Sequence, residues 1–244
     1  MRYSLGFFDF DAMNKILIAM MMCAAMMMPV ALHAKKKHIT EADRVTLTFY
    51  DGSKVNGYLY DHWFRGIYYG GRQNYKLSIV PKIDSDKKEK DEYTLNDIMA
   101  IDFDSPTVTD AHWRACKVAQ FEHEKLMQLL EKFTYQFMCV VAGDTTATIF
   151  KCPVVLKATV GDNETYEAVQ YGVMFKGNPV VYPIVTDGKM DLGALYHHLK
   201  GGKTARLVRY LKQQFKMKAN TNMVERDPTT FLNIYADYLL SEQQ

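Results

Sequence analysis

The chain has 244 residues, 48% of them hydrophobic, with 30 Lys and Arg against 28 Asp and Glu and a net charge of +2. This balance excludes the basic footprint of a nucleic-acid binder, and the length allows one large or two small domains. The four cysteines form no CxxC pair, which excludes a structural zinc ribbon.

Residues 1–34 read as an export signal. Lys15 supplies a short positive region, Ile16–Val30 carries no charge, and Leu32-His33-Ala34 ends on a small residue. Asp9 and Asp11 sit awkwardly ahead of such a signal, so Met13 is the better start. A membrane anchor needs about 20 apolar residues, more than this run offers before Pro29 interrupts it. Lipoprotein processing at Cys23 is disfavoured because Met22 is not small. Cleavage would leave a chain starting at Lys35-Lys36-Lys37, a solvated terminus or a weak peripheral contact with an acidic membrane. The expected location is therefore periplasmic, outer-membrane associated or secreted.

Residues 38–104 read as a small β-domain. Val45, Leu47 and Phe49 alternate with polar positions, Asp51-Gly52 follows, and Val55, Gly57 and Leu59 alternate again. Period-two runs around Asp-Gly predict a hairpin. Further strands are expected near Gly66–Tyr69, Tyr75–Val80 and Ile98–Phe103, with the charged stretch Lys82–Glu92 as a loop. The run from Val45 to Leu59, closing with Leu95–Ile101, resembles SH3-like and Sm-like barrels. The resemblance implies a small antiparallel barrel or sandwich; the RNA binding of Sm-like barrels is not carried over, because the charge is balanced.

This region is dense in aromatics. Tyr58, Tyr60, Trp63, Phe64, Tyr68, Tyr69 and Tyr75 cluster with His62, Arg65 and Arg72. Rings with polar handles suit protein partners or glycans. The alternative is that half the rings fill the core and half cover strand surfaces.

Residues 105–244 read as an α+β domain. Ser105–Asp110 is a connection, and Thr109 or Asp110 is placed to cap a helix from Ala111 to about Lys132. Strands are expected over Thr134–Val141, Ala147–Phe150, Val154–Thr159, Tyr166–Phe175 and Val180–Thr186, with turns at Gly143-Asp144, Gly161-Asp162-Asn163 and Gly177-Asn178. Asn163-Glu164-Thr165 matches a glycosylation sequon, relevant only in a eukaryotic host. Three helices close the chain: one capped by Asp191, one over Thr204–Lys216, and one opened by Asp227-Pro228 and running to Leu240. The whole arrangement, including Gln170–Asn178, is similar to exported proteins of Gram-negative anaerobes, for which no activity is established.

Candidate chemistry is sparse. On a helix, His112 and Cys116 would share a face, but His123 lies too far along to complete a metal site, and no metal or other cofactor is expected. A nucleophilic Cys116 is a formal alternative to a packing thiol. Cys116, Cys139 and Cys152 are an odd set for an exported chain. Cys139 and Cys152 flank the Gly143-Asp144 turn, which leaves a cross-strand disulfide open beside free buried thiols. His197-His198 read as surface residues. Lys203, Arg206, Arg209, Lys212 and Lys216 form a basic helical face, either merely solvated or able to dock an acidic glycan, lipid head group or protein. The expectation is a non-catalytic envelope protein that binds a protein or glycan through its aromatic surface. An envelope hydrolase with dispersed site residues and a structural subunit of an envelope assembly are the alternatives.

Overall fold

A computed structural model describes residues 39–60, 76–85, 89–119, 133–157 and 165–243. They belong to one compact unit, Ile39–Gln244. The expected signal segment, the strand near Gly66 and the sequon turn lie outside the described residues.

The architecture is α+β, a large, mainly antiparallel sheet followed by helices. Strands β1 (Arg44–Phe49) and β2 (Lys54–Leu59) form the expected hairpin, with Leu47 opposite Val55. Gly52 takes φ +84° at the turn, and Asp51 Oδ1 accepts the Ser53 amide at 2.8 Å. Then come β3 (Lys76–Val80), β4 (Asp91–Thr94), a 3-10 turn at Leu95–Asp97 and β5 (Ile98–Phe103). The loop expected to end at Glu92 is therefore shorter. Asp91 and Glu92 enter β4, where Glu92 stands between Lys76 and Lys90 at 3.2 and 2.7 Å.

The helix expected from Ala111 is corrected by β6 (His112–Ala119), and residues 120–132 are outside the described set. Asp110 caps nothing there; its carboxylate receives Lys151 Nζ at 2.7 Å. Pairing decides the conformation, because β6 is paired with β5 over His112–Arg114 and with β7 (Phe133–Gly143) over Trp113–Ala119. The strands continue as β8 (Ala147–Lys157), β9 (Thr165–Phe175), β10 (Val180–Thr186) and β11 (Lys189–Met190). Two strands expected between Ala147 and Thr159 are one. Pro153 is tolerated inside it because the ladder to β7 ends at Lys151, leaving that flank unpaired among the described residues.

The eleven strands of the described residues form one sheet in the order β11-β10-β9-β8-β7-β6-β5-β1-β2-β3-β4. The β5–β6 ladder carries the sheet straight across the boundary expected at residue 105. The sheet also curls back on itself: Val180 and Val181 of β10 pair parallel with Lys117 and Val118 of β6.

Helix α1 (Gly193–Leu199) starts at Leu192 without a side-chain cap; Asp191 instead accepts the Thr186 hydroxyl at 3.3 Å. Helix α2 (Ala205–Gln214) buries Leu207, Val208 and Leu211. Helix α3 (Lys218–Arg226) was not expected; it buries only Val224 and has no apolar stripe to announce it. Asp227 caps the 3-10 turn Pro228–Thr230, which leads into α4 (Phe231–Ser241).

Three buried clusters hold the unit together. One joins β8–β10 to the helices through Ile149, Ile184, Leu195, Leu211 and Phe231. A second joins β1–β7 through Leu47, Leu77, Ile101, Trp113 and Phe137. A third, of Cys116, Val118, Met138, Phe150, Cys152 and Val181, fills the curl of the sheet.

Candidate binding surfaces

The aromatic stretch enters the described residues only at Tyr58 and Tyr60; Trp63, Phe64, Arg65, Tyr68, Tyr69, Arg72 and Tyr75 lie outside them. Along β2 and just beyond, Gly57 and Leu59 are buried, while Tyr58 and Tyr60 take the alternate, half-exposed positions. The Tyr58 hydroxyl donates to Glu41 at 3.2 Å, and its pKa is raised by burial and then by this carboxylate. Tyr58 is opposite Arg44 in the ladder, so the ring shares its face with polar side chains. On that face the Thr46 hydroxyl donates to Asn56 Oδ1 at 2.9 Å, and Arg44 lies 3.4 Å from Asp104. Asp102, next along, accepts Arg114 at 2.7 Å and contacts His112 Nδ1 at 2.9 Å.

That contact removes His112 from any partnership with Cys116. On a strand, four residues span about 13 Å. Cys116 is buried, and its thiol is pushed up to about 12, first by desolvation and then by the nearby Cys152. Burial also lifts Cys152 to about 12. A thiol so held is protonated at neutral pH and is a poor nucleophile.

The disulfide left open between Cys139 and Cys152 is corrected. The three described cysteines are buried thiols, none of them in a disulfide. Cys139 is opposite Lys151, so Cys152 is one residue out of register and faces the other side of the sheet. Cys139 packs with Trp113 and Phe137, Cys152 with Cys116 and Met138.

The basic helical face divides. Arg206 is paired with Glu242 at 3.4 Å, and Arg209 is exposed. Lys203 lies in a 3-10 turn before α2. Lys212 and Lys216 line a groove of about 430 Å³ with Met190, Leu192, Gly193, Tyr196, Phe215 and Thr221. Lys212 Nζ is 5.2 Å from the centre of the Tyr196 ring, a cation–π distance. Burial pushes the Tyr196 phenol up to about 12. Phe215 is the neighbour of Lys216 in the chain, whereas only the packing of α1 against α2 brings Tyr196 beside the lysines. His198, expected at the surface, has its ring 5.0 Å from Phe133 and 6.3 Å from Tyr182.

A larger groove, about 520 Å³, runs between the β7–β8 and β9–β10 turns. Its polar groups are largely occupied. Asp144 Oδ1 accepts from the Thr146 amide and hydroxyl, each at 2.6 Å, and these bonds hold its carboxyl below the usual range. Asn178 donates to the Tyr182 hydroxyl at 2.9 Å and accepts the Val180 amide at 3.1 Å. These bonds fix the turns.

No family model, curated protein or solved structure matches the chain. Among the described residues, no three His, Cys, Asp or Glu are grouped to hold a metal, and no helix is long and apolar enough to cross a membrane.

Proposed function

We propose that the chain is an exported envelope protein that recognises a protein partner or a glycan through the aromatic surface that begins at Tyr58. The observation that carries this reading is the alternation at the end of β2. Gly57 and Leu59 are buried, which turns Tyr58 and Tyr60 to the alternate face, so the stretch starts with two half-exposed rings. Tyrosine offers large, rigid contact area and a hydroxyl at low entropic cost. The β1–β5 segment, with its 3-10 turn before the last strand, supports reading this part as the SH3-like module that the sequence resembles. The protonated, buried thiols of Cys116 and Cys152 weigh against the hydrolase alternative in its Cys116 form.

Two measurements test the reading. Intact mass after fractionation is expected to give a chain beginning at Lys35 outside the inner membrane. Uncleaved chain in the inner membrane defeats the export claim. Binding of the purified chain to isolated envelopes is expected to fall about fivefold or more in Y58A/Y60A, with the melting temperature nearly unchanged. Equal binding by the variant removes the aromatic surface as the contact.

A further inference from the structure

The charge of this protein is segregated. Residues 200–226 hold eight Lys and Arg but a single carboxylate, Glu225, in a chain whose net charge is only +2. That carboxylate is committed, since it accepts the Met190 amide at 3.0 Å and ties α3 to β11. The groove between α1, α2 and the start of α3 is thus lined by Lys212 and Lys216 and by no acid. Among the described residues neither ammonium has a carboxylate partner.

We propose that this groove binds an acidic saccharide, a sugar ring bearing a carboxylate. The lining matches the ligand in three respects. Two ammoniums flank the groove and can hold a carboxylate by charge-assisted hydrogen bonds. Met190, Leu192, Phe215 and the Tyr196 ring supply apolar surface for the C–H face of a pyranose. Tyr196 and Thr221 add polar character to the same lining: the phenol remains a neutral donor at physiological pH, and the Thr221 hydroxyl, which donates to the Phe215 carbonyl at 3.4 Å, keeps its lone pairs for accepting. A bare phosphate would leave the apolar lining unused. A fatty acid needs an enclosed apolar pocket, and this groove is open with cations at its margin. The groove uses no residue of the Tyr58 surface, so its failure leaves the preceding reading standing.

The test is calorimetric titration at low salt with two probes of equal length. One is a tetrasaccharide alternating glucuronate with N-acetylglucosamine; the other is the neutral tetrasaccharide of N-acetylglucosamine. The acidic probe is expected to bind about tenfold or more tightly, and K212Q/K216Q to lose about tenfold or more of that affinity at an unchanged melting temperature. A second variant, Y196L, keeps the lysines and is expected to weaken the acidic probe severalfold. Equal binding of both probes overturns the proposal, as does undiminished binding by K212Q/K216Q. Displacement of the acidic probe by inorganic phosphate at equal concentration overturns it in favour of a simple anion site. Binding to phosphatidylglycerol vesicles without binding to the tetrasaccharide overturns it in favour of a lipid surface.

Discussion

Gly172 of β9 passes so close to Val181 of β10 that a β-carbon built on it would stand 2.5 Å from Val181 Cγ1 and 3.1 Å from the Tyr182 carbonyl oxygen. Val181 is fully buried in the cluster inside the curled sheet, and it also pairs with Val118 of β6. The approach of β9 to β10 and the contact of β10 with β6 therefore depend on one missing side chain. G172A is expected to destabilise the fold by about 1–3 kcal/mol through overpacking. Urea denaturation checks this. G172A/V181A should be less destabilised than the sum of the two single changes, because the shortened residue 181 relieves the clash.

The two thiols in the same cluster make an alkaline prediction. Cys116 and Cys152 are both pushed up to about 12 from a value of 9.0. A raised pKa means that the folded state holds the proton more tightly than the unfolded chain. The associated stability is present below pH 9 and is lost as pH rises from there toward 12. Melting temperature should decline over that window, and C116A/C152A should flatten the decline. In the native state near pH 8, a thiol reagent should modify neither cysteine, and both should react in denaturant.

Lys151 and Asp110 join the middle of β8 to the connection ahead of β6 at 2.7 Å. Both side chains are about one-third exposed, so the pair contributes on the order of 0.5–1 kcal/mol. The hydrogen bond to Asp110 raises the lysine pKa, although burial opposes it. Its contribution is thus fully present below about pH 10 and fades above the folded value. A double-mutant cycle of K151M and D110N, read by urea denaturation, should return a coupling of about that size. It should shrink in high salt, since both groups are partly solvated.

Asp227 accepts the Thr229 amide at 3.0 Å and the Thr229 hydroxyl at 2.6 Å. This cap sets the entry of α4, whose Phe231 is fully buried with its ring 6.1 Å from Phe215. D227A should lower stability by about 1 kcal/mol, and F231A by about 3–5 kcal/mol. Comparing their denaturation midpoints tests whether core packing outweighs the cap. Because Phe215 also lines the lysine groove, F231A should disturb that site and D227A should not.

Local pattern determined the hairpins. Period-two alternation with Asp51-Gly52, Gly143-Asp144 or Gly177-Asn178 between the runs needs only neighbouring residues to specify a turn, and these turns are where the sequence places them. The same holds for α2 and for Asp227-Pro228, whose periodicity and capping are local. Tertiary structure decided the rest. The sequence predicts a helix from Ala111, but residues 112–119 become β6, because β5 pairs with it over His112–Arg114, β7 over Trp113–Ala119 and β10 at Lys117 and Val118. Cys139 and Cys152 fall on opposite faces through a register of one residue, which spacing cannot reveal. The lysine groove exists only because α1 brings Tyr196 against α2, joining an aromatic ring and two ammoniums whose sequence positions each suggest something blander. Turn chemistry and periodicity are short-range and can be read along the chain; strand partners and groove walls come from residues tens of positions apart, and only packing selects among them.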